Sequence, residues 1–457
     1  MIDIAIVVDH KWRDLPGLSL LAYKLETVYN LSVKLIPYNL WEKTIIFDKP
    51  KILCVSVLYG SRGQRIIRTC KQTGTKLAVI MTEGRPNTME ALAYSVGKES
   101  NSKYADLWIC WSETVRKYML EEGVLPEEKL PVLGCNRFDI YFHPYRELIS
   151  DRQVFLVKYG LDPDKPVISW ATNFTHAKFF KNNTDFMIKD WKDLGLTKYK
   201  SYSNPQSVAQ NDFYCRIESA KIIKDYLKKN KNVQLIVKPH PAEDHDFYID
   251  FAEECNKELG RKRVSFIGFE YIWGVLNATD VHIHRLCTTG VEAWFLNKPS
   301  VEFHIKDYLP WSIALDGAAS DAAKGNEISN NKDSLFHYVD FYLNGGKESQ
   351  DKIEYRKKYI EKWLYKVDGK RCDDYAFELN KLLAREKIKK LPFKKNIRIY
   401  AKGLVNAVLG PTPKKKLKFW EKNYKDSIGH IDKIIKKEDT LLWREKISSI
   451  LKRNFIL

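Results

Sequence analysis

The sequence predicts an α/β protein built from two successive doubly wound units, followed by a helical, basic extension. Three observations carry that prediction. Short apolar runs alternate with amphipathic stretches twice over, as parallel strands and their crossover helices do. The residues best suited to chemistry fall at the ends of the apolar runs. The 457 residues exceed what one hydrophobic core usually covers. With 44% hydrophobic and 29% charged residues, the chain has the composition of an ordinary globular protein.

In the first unit, residues 1–150, six segments read as strands: IDIAIVV, LSVKLIPY, KILCVSVL, TKLAVIM, ADLWICW and KLPVLG. Between them, LPGLSLLAYKLETVYN, GQRIIRTCKQTG and SETVRKYMLEEG carry helical periodicity. The pattern breaks at GCNRFDIYFHPYRE. A second unit, residues 151–345, opens on the strand KPVISWATNF and continues with NVQLIVKPHP, RVSFIG, DVHIHR and PSVEFH. Its helical segments include FYCRIESAKIIKDYLKKN, FYIDFAEECNKELG and TGVEAWFLN. Residues 175–212 interrupt this unit and are expected to be a long insertion or mobile loop, a feature uncommon unless functional. Residues 346–457 read as further helices and a tail punctuated by proline and lysine.

The eight cysteines are scattered, with no CxxC pair, and several lie in apolar runs where a reduced, buried thiol is expected. The opening MIDIAIVVDHKW reads as a first strand and not a secretion signal. No apolar run approaches the roughly 20 residues that cross a bilayer. A cytoplasmic location is the expectation. The net charge of +18 is unevenly spread. Residues 381–457 hold 22 Lys/Arg against 7 Asp/Glu, leaving 54 against 51 in the first 380. Phe393, Leu417, Phe419 and Trp420 stand among these tail lysines, a mixture suited to an anionic membrane surface. Nucleic acid is the competing partner, but the charge lies outside the two units and no RNA-binding or zinc motif accompanies it.

The strongest chemical signal is VQLIVKPHP. A buried strand delivers Lys238, His240 and two prolines to its carboxyl end, where ligands of open α/β sheets bind. Pro239 and Pro241 restrict the backbone on both sides of His240. An ammonium and an imidazole at such an edge suit a phosphate leaving group. A second signal is Cys287-Thr288-Thr289-Gly290, which opens a helix after the strand ending at His284. Free backbone N–H groups, two hydroxyls and the positive end of the helix dipole converge there on an anion. Glu292 falls early in that helix, placed either to hold ribose hydroxyls or to serve the helix terminus electrostatically.

The KPHP turn, H-x-x-C-T-T-G-x-E-A and the later N-K-P resemble the nucleotide-binding half of bacterial surface-carbohydrate transferases with the GT-B fold. Capsule-type Kdo transferases, polysialyltransferases and teichoic-acid polyol-phosphate transferases share variants of it. GCNRFD, WATNF and WLYKVDGKRC extend the resemblance over residues 1–380. It implies that His240 contacts the donor phosphate, with Lys238 and Pro241 beside it. Thr288 and Thr289 would complete the phosphate site, and Glu292 would lie near the ribose. Phe269 and Tyr271 fall where such enzymes hold the base, and Thr172 and Asn173 would face the cleft between the units.

In the first unit, Glu83-Gly84 ends the strand KLAVIM and resembles the acidic-Gly motif whose carboxylate deprotonates the acceptor hydroxyl; the family's first acidic residue is here Thr82. A buried carboxylate at a cleft would have its pKa raised toward a useful value for a base. Asp9 and His10 form the rival pair, and Arg62 and Arg65 are candidates to hold an anionic acceptor. Metal dependence is not expected, because Asp162-Pro163-Asp164 reads as a proline turn. The resemblance thus implies an inverting glycosyltransferase without a cofactor. It would use a CMP-activated acidic sugar and a glycan or lipid-linked glycan acceptor, at the inner face of the membrane. Transfer of a polyol phosphate from CDP-glycerol or CDP-ribitol is the alternative.

Overall fold

The computed structural model describes residues 2–181, 183–308, 316–385 and 433–455. Among these residues the chain divides into two compact units. One holds the chain up to Arg85, Leu92–Leu148 and the residues from Ile360 onward; the other holds Pro86–Ala91 and Ile149–Tyr359.

The first unit contains strands β1 (Ile4–Val8), β2 (Val33–Pro37), β3 (Ile52–Val55), β4 (Lys76–Ile80) and β5 (Leu107–Ile109). They form a parallel sheet in the order β2-β1-β3-β4-β5. Strands β1, β3, β4 and β5 are buried along their whole length, as expected of parallel strands covered on both faces. The main helices are α1 (Lys11–Tyr29), α2 (Trp41–Phe47), α3 (Gly60–Thr73), α4 (Met89–Val96), which runs across the unit boundary, and α5 (Glu113–Glu121). Helix α1 ends at Asn30, whose φ of 51° lets the chain turn back so that the Leu31 N–H meets the Leu25 carbonyl.

KLPVLG, expected as a sixth strand, makes only a bridge between Cys110 and Val132. Pro131 has no N–H to donate, and Gly134, at φ 72°, turns the chain away after two hydrogen bonds.

The second unit contains β6 (Val167–Ala171), β7 (Gln234–Lys238), β8 (Val264–Phe266), β9 (Val281–His284), β10 (Ser300–Phe303) and β11 (Glu327–Ser329). All pair in parallel, in the order β11-β10-β9-β6-β7-β8. Strand β11 was not anticipated; its three residues are too few to show a period. The helices are α6 (Arg152–Lys158), α7 (Thr184–Asp193), α8 (Pro205–Lys229), α9 (Asp246–Glu258), α10 (Ile272–Ala278), α11 (Thr288–Phe295), α12 (Ala318–Lys324) and α13 (Lys332–Leu343). The core under this sheet is rich in aromatics: Trp170 meets Phe174, Tyr248 and Phe251 edge-on.

The 175–212 stretch is a correction, because helices fill most of it. Helix α7 packs on α8 through Met187, Trp191 and Ala209. Helix α8 begins eight residues before its predicted start, since Asn204 caps the Ser207 N–H and Pro205 takes the first helical position.

The C-terminal boundary also differs from the expected 346. Helix α14 (Gln350–Trp363) crosses the division at 360, and α15 (Arg371–Ala384) and α16 (Lys437–Phe455) pack on α1 in the first unit. Asp139 accepts the Arg371 and Cys372 N–H groups at 3.0 and 2.7 Å, satisfying the open end of α15. Trp443, Ile447 and Ile450 bury the apolar face of α16, and Lys11–Asp439 and Arg444–Glu26 ion pairs flank it. This part of the expected membrane tail is therefore committed to the first unit. Phe393, Leu417, Phe419 and Trp420 lie outside the described residues. No helix among those described is long and apolar enough to cross a membrane.

Candidate functional site

In the second unit, β6 lies between β7 and β9, and the chain changes direction across the sheet between β6 and β9. Such a switch point opens a crevice at the carboxyl ends of the strands. The loops that meet there are Thr172–His176 after β6, Pro239–Glu243 after β7, Gly268–Tyr271 after β8 and Arg285–Thr289 after β9.

Glu243 organises two of these loops, and sequence reasoning missed it. Its Oε1 accepts from the Thr172 hydroxyl at 2.6 Å and from the His240 N–H at 3.1 Å, and its Oε2 accepts from the Tyr248 hydroxyl. Burial pushes its pKa above the usual carboxylate range despite these hydrogen bonds. Thr172, expected to face the ligand, is buried with its hydroxyl committed to Glu243.

His240 is oriented within its own turn. The Ala242 N–H donates to Nδ1 at 3.1 Å, so the neutral ring carries its proton on Nε2. The imidazole is thereby a hydrogen-bond donor at the sheet edge, next to Pro241. Lys238 is buried and donates to the Gly268 carbonyl at 3.0 Å, tying the loops after β7 and β8 together. Phe269 lies 6.2 Å from the His245 ring, and Tyr271 stacks on Trp273 at 4.7 Å. Both aromatics are half-buried.

On the other side of β6, Thr288 and Thr289 open α11 after Cys287, which is extended at the N-cap. Leu286, just before it, is held at φ 49°, a left-handed conformation that a branched aliphatic residue adopts only under constraint. Asn173 supplies part of that constraint by donating to the Leu286 carbonyl at 3.1 Å. A Cβ on Gly290 would stand 2.2 Å from the His284 ring, so this glycine serves close packing of the helix on β9. The Thr289 hydroxyl lies 2.9 Å from His282 Nε2, and His282 Nδ1 lies 2.8 Å from Ser169. Burial, with His284 adding to it, holds the pKa of His282 well below its usual value, so that ring is neutral. Glu292 is buried on α11.

The first unit has its own cluster at the carboxyl ends of β1 and β4, centred on a residue the sequence reading did not single out. Arg13 pairs with Glu83 and donates to Asp9 and Asp14, at 3.1 and 3.0 Å, and to the Thr82 hydroxyl at 3.0 Å. Asp14 lies beneath it and takes the His10 N–H at 3.0 Å, closing the first turn of α1. Lys433, just before α16, reaches Asp9 at 2.9 Å. Burial lowers the Arg13 pKa, but Asp14, Glu83 and Asp9 together hold it well above its usual value.

Glu83 departs from expectation. Its side chain is 67% exposed and ion-paired, so the burial expected to tune it is absent. Gly84 lies against the Trp111 ring, where a Cβ would come within 2.4 Å, and the Trp111 indole donates to the Met81 carbonyl at 3.0 Å. Arg62 stacks over Tyr38 at 4.8 Å and Arg65 over Trp41 at 5.3 Å. Asp162 and Asp164 form the expected turn, with the Asp164 N–H donating to the Asp162 carboxylate at 3.1 Å.

No family model matches this chain, and neither does any curated protein. Solved structures do. The MnaA–UDP structure from S. aureus is similar, with a TM-score of 0.50 at 11% identity over 86% of this chain and 100% of that one. A structure of the wall teichoic acid polymerase TagF with CDPG is similar at a TM-score of 0.51 and 11% identity, covering 83% of this chain and 88% of that one. These likenesses establish the fold: two Rossmann-like parallel-sheet units of the GT-B class.

Proposed function

We propose that this chain is an inverting, metal-independent glycosyltransferase of bacterial surface polysaccharide synthesis, with its nucleotide-sugar site in the second unit. The observation that carries the proposal is the pair of anion-binding groups flanking β6: the fixed Nε2–H of His240 and the Thr288-Thr289 start of α11. The strands that lead to them, β7 and β9, are two strand spacings apart, about 10 Å. Both groups are suited to the charge that develops on a departing nucleotide phosphate.

The donor class is a CMP-linked acidic sugar of the Kdo or nonulosonate type. The acceptor is a glycan or lipid-linked glycan, reached from the anionic inner face of the cytoplasmic membrane through the basic tail, and no nucleic acid takes part. Glu83 accepts the proton of an acceptor hydroxyl. The oxygen then bonds to the anomeric carbon as the bond to the nucleotide phosphate breaks, and the phosphate leaves with the electron pair. Asp9, His10, Arg62 and Arg65 serve the acceptor side. Transfer of a polyol phosphate is the second reading, favoured by the likeness to TagF with CDPG; there the phosphorus, not a sugar carbon, is attacked.

A thermal-shift panel of CMP, CDP, UDP and GDP tests the site. Stabilisation by a cytidine nucleotide, lost in His240→Ala, is the expected result; turnover with a UDP-hexose alone would sink the CMP assignment. A phosphodiester product would establish the polyol-phosphate reading. Glu83→Gln should lower kcat by roughly 10²- to 10⁴-fold with nucleotide binding intact, and equal turnover removes Glu83 as the base.

A further inference from the structure

His176 lies in the loop after β6, and its ring is held from one side. Asp212, on α8, accepts from the His176 N–H at 3.1 Å and lies 3.0 Å from Nδ1. Burial would raise the pKa of Asp212, but Arg285 and the His176 hydrogen bonds hold it below the usual value. A carboxylate can only accept, so Nδ1 carries a proton and the neutral ring presents a lone pair at Nε2. Among the described residues Nε2 has no partner, and the side chain is 31% exposed.

The charged groups around this ring are balanced. Arg285 Nη1 reaches Asp212 Oδ1 at 3.0 Å, so the carboxylate orients the imidazole without leaving a net negative charge beside it. Lys178, two residues on, is directed elsewhere and donates to the Ala242 carbonyl. The Thr175 hydroxyl lies 3.4 Å from Nδ1, on the same side as Asp212 but farther away, and Trp191 of α7 meets the His176 ring edge-on at 5.4 Å.

The loop that carries His176 follows β6 and is tied to the loops of both candidate anion-binding groups. Arg285 also donates to the Asn173 carbonyl at 2.9 Å, joining the β6 loop to the start of α11. Lys178 joins it to the loop that carries His240. The nearest structural role for His176 is to anchor the helical insertion, and the contacts of Nδ1 and the backbone already fulfil it. Nε2 is left over.

We infer that His176 is a further binding residue of the nucleotide site, whose Nε2 accepts a hydrogen bond from a hydroxyl of the bound donor. The inference rests on the nucleotide site proposed above. It makes the two histidines complementary: His240 donates toward phosphate, and His176 accepts from a hydroxyl. That hydroxyl belongs either to the ribose or to the transferred sugar or polyol.

His176→Asn is the informative variant, because its amide nitrogen retains the donor to Asp212 while the Nε2 acceptor is removed. The measurement is calorimetric titration of wild type and variant with CMP, CDP and UDP, their 2′- and 3′-deoxy analogues, CMP-N-acetylneuraminate and CDP-glycerol. The expected result is an unchanged melting temperature with roughly 5- to 10-fold weaker binding, the value of one hydrogen bond. If the ribose is the partner, a deoxy analogue binds wild type equally weakly and is insensitive to the variant. If the transferred group is the partner, free nucleotides bind both proteins alike and only the complete donors lose affinity. Equal binding of every ligand by the two proteins overturns the inference and leaves the nucleotide site standing. A wild type that binds none of these ligands overturns both.

Discussion

Asp139 in the first unit and Asp212 in the second are both buried aspartates that join distant parts of their unit, yet their protonation is controlled in opposite ways. Asp139 faces the backbone N–H groups of Arg371 and Cys372, and burial outweighs those bonds to push its pKa up to about 7. The Arg371 guanidinium is engaged by Asp368 and Asp374. For Asp212 burial acts in the same direction, but Arg285 is aimed at its carboxylate and the pKa falls below the usual value. A guanidinium directed at a buried acid keeps it charged; one shared among surface acids does not. The anionic aspartate is the one that orients a histidine beside the candidate site.

Asp212→Asn should break this contrast with the largest effect. It leaves Arg285 buried without its counter-charge, which costs on the order of 3–5 kcal/mol at neutral pH. In wild type the stabilisation from Asp212 is present above the unfolded pKa near 3.8 and is lost as pH falls through the depressed folded value. Denaturant unfolding from pH 2 to 7 should show that loss in wild type and not in the variant.

The opposite sign holds for Asp139. Its folded pKa of about 7 lies above 3.8, so its contribution is greatest below pH 4 and declines as pH rises through 7. Asp139→Asn should therefore flatten the pH dependence of stability between pH 4 and 8, a change on the order of 4 kcal/mol across that range. An unaltered slope would show that another group titrates there. Lys433→Ala should have the smallest effect, under about 1 kcal/mol, because its pair with Asp9 is partly exposed. A larger loss of stability would show that the ionic cluster at β1 depends on the chain before α16.

The sequence made the two sheets legible because parallel strands buried on both faces appear as unbroken apolar runs, as in β1, β4, β6 and β7. The candidate phosphate groups were legible because they follow such runs directly. Glu243 was within reach, three residues after His240 in HPAED, but nothing local shows that it returns to bind the His240 N–H. Arg13 was obscured because its partners Asp9 and Glu83 end different strands. The dyad of His176 and Asp212 spans a stretch read as a loop, although Asn204-Pro205 is a helix-start signal. Contacts that close only in three dimensions have no sequence period to reveal them.

The packing of α16 on α1 also sets an order of events during synthesis. Lys11 cannot meet Asp439 until 428 further residues have been made. At the usual pace of a ribosome, that interval is on the order of tens of seconds. The second unit, by contrast, is fully emerged once Tyr359 has left the exit tunnel, and its sheet draws on no later residue. The N-terminal unit is thus started first and completed last. During the wait, α1 lacks the packing that the helix carrying Trp443, Ile447 and Ile450 later supplies.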